Sequence, residues 1–217
     1  MRIQHNIAGI NSYRNLGVNQ RNLSKNLEKL SSGFRINRAG DDAAGLAISE
    51  SMRSQINGLN QAAKNADDAI GLIQTAEGAL TETHSMLQRL KTLATQGANG
   101  TYDDTARGNI NKEITDLNAE IDRIAESTSF NGVTPLKQNT KFTFQIGATK
   151  DEVLKFDCKV TMDSTGLEIK DITVNDTAAA NGAITKIDAA INSVSAYRAE
   201  LGAKQNRLEH TVNNLNV

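Results

Sequence analysis

The feature that most constrains this chain is a heptad that runs almost without a break from Asp42 to about Gln96. Met52, Ile56, Leu59, Ala63, Ala66, Ile70, Ile73, Leu80, Leu87 and Ala94 fall on alternating steps of four and three, with Glu77, His84 and Lys91 on the remaining rungs. Beyond Thr83 the stripe widens to include Met86, Leu90 and Leu93. A 3.5-residue period held over this distance specifies a helix with a narrow apolar seam, which needs partner helices alongside it. At the helical rise such an element is roughly 80 Å long, more than the diameter of an ordinary domain. It should end at the Gly97-Ala98-Asn99-Gly100 cluster.

The entrance to this helix, Leu27 to Ser49, reads as a hinge. Gly33 and Gly40 bracket Arg35 and Arg38, and two acids and a run of small residues follow. Glycine leaves helical backbone space cheaply. Asp41 is the expected N-cap, and Asp42 favours the positive end of the helix dipole. Ala43, Ala44, Gly45 and Ala47 leave room for another helix to approach.

Three further helices are legible. Ile3, Ile7, Ile10, Tyr13, Leu16, Leu23, Leu27 and Leu30 recur at threes and fours with a phase slip around Gly17, an amphipathic helix that would be marginal alone. Asp103 to Glu126 carries Ile110, Ile114, Leu117, Ile121 and Ile124. Beyond Asp176 the ladder is Ile184, Ile187, Ile191, Val194, Leu201, Leu208, Val212 and Leu215, with Arg198 and Gln205 as its polar rungs. That ladder is still running at Val217, so the chain is expected to be a truncated one. Between the last two helices Phe142, Phe144 and Ile146 alternate, then a KDE turn, then Leu154, Phe156, Cys158, Val160 and Met162. With the LEIKDITV segment these predict a small hairpin-rich insert.

The expected fold is therefore mainly α: an elongated antiparallel helical bundle or coiled coil of long helices with a small inserted β-hairpin region. Its segments are an N-terminal helix and hinge (1–41), an inner rod (42–134), a β-rich insert (135–176) and a last long helix (177–217). Composition agrees, since only 38% of residues are hydrophobic and 4% aromatic, which suits helices burying narrow stripes.

Other function classes are disfavoured. The net charge of −1 gives no drive toward nucleic acid or an anionic membrane. No run reaches the roughly 18 apolar residues of a membrane span, and MRIQHNIAGINS lacks the apolar core of a secretory signal peptide. A single cysteine rules out an intrachain disulfide. Cys158 alternates with strand residues and reads as core. His5, His84 and His210 have no second ligand at metal spacing. No phosphate loop or nucleophile motif is present, so no cofactor and no enzymatic activity are expected.

MRIQHNIAGINSYRNL, followed by LEKLSSGFRINRAGDDAAGLAISESMRSQINGLNQAAKNADDAIGLIQTAEGAL, resembles the N-terminal region of bacterial flagellins, and SVSAYRAELGAKQNRLEHTVNNLNV resembles their C-terminal inner-core helix. The resemblance continues through MLQRLKTLATQGANG, NKEITDLNAEIDRIAESTSFNG and FTFQIGA. It implies a structural subunit that assembles with other flagellin subunits into the extracellular filament used for swimming. Its other implied partners are the flagellar export apparatus and cap, reached without a cleavable signal peptide. It also implies recognition by host Toll-like receptor 5 through Gln88, Arg89, Leu93, Gln96 and Glu113, with Arg89 exposed just off the stripe and Leu93 at its edge. Leu27, Leu30, Arg35 and Arg38, at the boundary between filament core and inner tube, become the expected subunit contacts. The family carries a further C-terminal segment that pairs with the N-terminal helix, and this chain is expected to lack it. The alternatives are a hook–filament junction protein, which shares the terminal helices, and a secreted receptor ligand or immune modulator.

Overall fold

A computed structural model describes residues 6–137, 141–157 and 161–215. The elements run α1 (Ile7–Ser32), α2 (Ala43–Gly97), α3 (Asp104–Ser127), β1 (Lys141–Gln145), β2 (Val153–Asp157) and α4 (Thr177–Leu215). The chain is mainly α, with the small antiparallel sheet inserted between α3 and α4 as the periodicities require. Ile3, Cys158 and Val160, expected on the first stripe and the second strand, lie outside the described residues. The chain divides into two compact units, Met1–Asn57 and Gly58–Val217.

In the first unit α1 is capped at both ends. Asn6 accepts from the Gly9 amide at 3.0 Å, and Gly33 adopts φ +73° while its amide donates to the Lys29 carbonyl. Only a residue without Cβ takes that left-handed position cheaply. No residue of α1 is buried. The cap of α2 corrects the sequence expectation. Asp42, not Asp41, receives the Gly45 amide, at 2.9 Å, because Asp41 is occupied by the Lys25 ammonium at 2.5 Å. The room at Gly45 is filled by the side chains of Asp42 and Ile36 rather than by another helix. Met52 and Ile56, placed on the seam by the heptad, are 58% and 57% exposed.

The second unit holds the core. The buried face of α2 is Ala62, Ala66, Ala69, Ile73, Ala76, Leu80, Thr83, Leu87, Leu90, Ala94 and Gly97, with Leu72 and Leu93 beside it. Between Ala66 and Ala94 every other rung is therefore shifted by one residue. Ala69, Ala76, Thr83 and Leu90 take the places read as Ile70, Glu77, His84 and Lys91, which flank the seam at partial or full exposure. The same shift occurs on α4, where Ala183, Ala190 and Tyr197 are buried in place of Ile184, Ile191 and Arg198. On α3, Asn118 and Ala125 are buried where Leu117 and Ile124 were expected. The physical reason is close packing: alanine lets helix axes approach, and the charged rungs then move to the rim. Ion pairs Lys91–Asp188 (2.6 Å) and Glu77–Arg198 (3.5 Å) run α2 and α4 antiparallel. Leu201 and Leu208 of α4 are buried, as are the small Ala69 and Ala76 of α2.

The hairpin pairs Phe142 with Phe156 and Phe144 with Leu154. Phe142 stacks on Phe156 at 5.7 Å, and Phe156 meets Tyr197 of α4 at 5.9 Å, so aromatic contacts fasten the sheet to the bundle. The segment LEIKDITV is not a strand. It forms turns that bury Leu167, Ile169, Ile172 and Val174.

Candidate assembly and recognition surfaces

The first unit presents an apolar row with no cover within the unit. Along α1, Ile7, Ile10, Tyr13, Leu16, Leu23, Leu27 and Leu30 are each between 56% and 80% exposed. Leu27 and Leu30 thus stand on the surface, as a subunit contact requires. A full turn of such residues facing water forfeits roughly 1.5–3 kcal/mol per large side chain relative to burial, so the row is a surface built to be covered.

The segment after α1 is a tied turn and not a free hinge. Arg38 Nε donates to Glu28 at 2.8 Å, and that hydrogen bond, with the Glu28 charge, holds the guanidinium pKa above its ordinary value. Lys25 donates to Asp41 and holds its carboxyl below the usual carboxylate range. Asn37 donates to the Glu28 carbonyl and to Ser32 Oγ. On the other side Arg53 lies 4.3 Å over the Phe34 ring. Arg38 remains 74% exposed while paired, and Arg35 is exposed. Both therefore reach the surface, but Arg38 brings a neutralised pair to any neighbour instead of a bare cation.

In the second unit the residues expected at the receptor surface divide. Arg89 on α2 and Glu113 on α3 join across the helices, with Arg89 Nε 2.7 Å from Glu113 Oε1 and Nη2 at the same distance. Both are about half exposed. Gln88 is exposed and contacts His84 Nε2 at 3.0 Å. Gln96 is half-buried and donates to the Tyr102 hydroxyl at 2.9 Å. Leu93 departs from the expectation: at 2% exposure it is a core residue and not an edge residue. Tyr102, which sequence reading did not single out, lines a shallow groove with Gln88, Lys91, Thr92, Thr95 and Asn99. Only the folded α2–α3 turn brings it there. Among the described residues no group of His, Cys, Asp or Glu is placed to hold a metal, and no helix is long and apolar enough to cross a membrane.

Comparison with known proteins gives the family. The model of the bacterial flagellin N-terminal helical region matches residues 3–141, and that of the C-terminal helical region matches residues 184–217. Flagellin of Halalkalibacterium halodurans is 50% identical, over 99% of this chain and 80% of that protein. Flagellin of Bacillus subtilis is 48% identical, over 100% of this chain and 83% of that protein. The crystal structure of Bacillus cereus flagellin superposes with a TM-score of 0.63 at 33% identity, covering 70% of this chain and 88% of that one. A putative flagellar hook-associated protein from Vibrio parahaemolyticus reaches 0.65 at 13% identity, over 82% and 94%, a likeness of fold alone. On the strength of the two family matches and these relatives, the chain belongs to the bacterial flagellin family, structural subunits of the flagellar filament.

Proposed function

We propose that this chain assembles with copies of itself through the first unit, the apolar row of α1 being buried against neighbouring subunits and Arg35 and the Arg38–Glu28 pair meeting them at the turn. The observation that carries this reading is that α1, a 26-residue helix, buries none of its residues. A helix of that length and composition is marginal in water without a partner. The filament then lies outside the cell, reached through the flagellar export apparatus and its cap. Sedimentation and electron microscopy of the protein under salt-induced assembly conditions test it: filaments are expected, and a species that remains monomeric at every concentration overturns it.

A second role rests on the other unit. The cross-helix pair Arg89–Glu113, with Gln88 exposed and Gln96 and Tyr102 alongside, supports recognition of this face by Toll-like receptor 5. In this reading Leu93 acts from beneath, by holding α2 in place under Arg89. Flagellin is favoured over a hook–filament junction protein because the likeness to the putative hook-associated structure lies at 13% identity, against 48–50% for the flagellins.

A further inference from the structure

Residues 164–175 cross from the hairpin to α4 without regular secondary structure, yet their backbone is well supplied with partners. Asp122 accepts from the Ser164 amide at 2.7 Å and from its hydroxyl at 2.8 Å. Asn118 donates to the Ile169 carbonyl at 3.0 Å. Asn111 accepts from the Val174 amide at 2.9 Å and donates to the Asn175 side chain at 2.7 Å. Asn111, Asn118 and Asp122 are spaced seven and four apart, so they form one polar row along a single face of α3. Arg107 adds a longer bond to the Asn175 carbonyl at 3.5 Å, and the backbone bonds within the segment are short-range turns, such as Ile169 to Ser164 and Leu167 to Asp163. A Cβ at Gly166 would run into the Thr161 carbonyl, so this turn closes only with glycine there. Beneath it Leu167, Ile169, Ile172 and Val174 are buried, Val174 against Gly97.

The hydrogen bonds that hold α3 helical run within the helix and do not need this segment, whereas the segment draws its long-range bonds from α3. We propose that residues 164–175 are a strap that opens and recloses as one piece while α2, α3 and α4 stay packed, with Asp122 and Asn111 as its two end fastenings and Asn118 between them. Such a piece is a cooperative unit below the global unfolding limit, the route by which this part of the protein exposes apolar surface first.

Amide hydrogen exchange of the full chain, read by mass spectrometry and by NMR, tests the proposal. In the unsubstituted protein the amides of Ser164, Ile169 and Val174 should exchange at one common rate, faster than those of Ile114 and Ile121. Asp122→Ala should speed the distant Val174 amide about tenfold, and Asn111→Ala should do the same for Ser164, since each removes a part-buried hydrogen-bond partner from one end. Asp122→Asn, which keeps an acceptor, should have a smaller effect. An effect confined to the amides beside the substitution would overturn the proposal, because the fastenings would then be independent. Equal acceleration of Ile114 and Ile121 would also overturn it, because the strap would then be inseparable from the bundle.

Discussion

Arg89 on α2 reaches across to α3 and places two guanidinium nitrogens on a single oxygen of Glu113, each at 2.7 Å. The pair fixes the direction of an otherwise flexible arginine while both side chains stay partly exposed. Because both side chains are about half exposed, the pair adds little to stability, within about 1 kcal/mol. Arg89→Ala should therefore lower receptor-dependent signalling in a reporter-cell assay with little change in melting temperature. Unchanged signalling would remove Arg89 from the recognition surface.

Leu93 should behave in the opposite way. It is 2% exposed within the α2 seam, so Leu93→Ala removes buried contacts and leaves a cavity, at a cost of about 2–5 kcal/mol. Urea unfolding should show the midpoint falling sharply, and any loss of signalling should accompany that fall. Lost signalling at unchanged stability would mean that Leu93 touches the receptor directly.

The seam itself can be tested by paired substitutions. Ala76 is fully buried and Glu77 stands at the rim. Ala76→Leu should overpack the interface and lower stability by about 1–3 kcal/mol, whereas Glu77→Leu should shift it by less than about 1 kcal/mol. The reverse order in chemical denaturation would restore the ladder read from spacing alone.

The turn between α1 and α2 should respond to acid. The hydrogen bond from Lys25 holds the Asp41 carboxyl below its ordinary value of 3.8, so the folded turn favours the ionised form. Its contribution is complete above that value and is lost as pH falls through the lowered folded-state pKa. An NMR titration of the Asp41 carboxyl should give a midpoint below 3.8, moving back toward it in Lys25→Met. A midpoint at or above that value in the unsubstituted protein would contradict the pairing.

The long helices and the hairpin were legible because their period persists over many turns, and one misplaced residue does not erase it. The choice between adjacent rungs was harder, since Ala69 and Ile70 both continue the ladder from Ala66. There the sequence held a usable signal: the rung series Ala69, Ala76, Thr83, Leu90 is uncharged, while its rival carries Glu77 and Lys91. On α3 no such signal existed. Asn118 is drawn inward by a carbonyl 51 residues away, and an alternating LEIKDITV folds as turns because α3 supplies its partners. Arg89 and Glu113 are legible as candidates only through family resemblance; the burial of Leu93 and the position of Tyr102 depend on packing that spacing does not reveal.

The central claim is that the exposed row of α1 is an assembly surface, and its most direct measurement is electron microscopy of subunit addition to filament seeds. The double substitution Leu27→Asp, Leu30→Asp places two charges on that row without touching the packed second unit. The unsubstituted protein should extend the seeds and the double variant should not, while both melt at the same temperature. If the variant extends seeds as readily as the unsubstituted protein, the row is not the surface that joins the subunits.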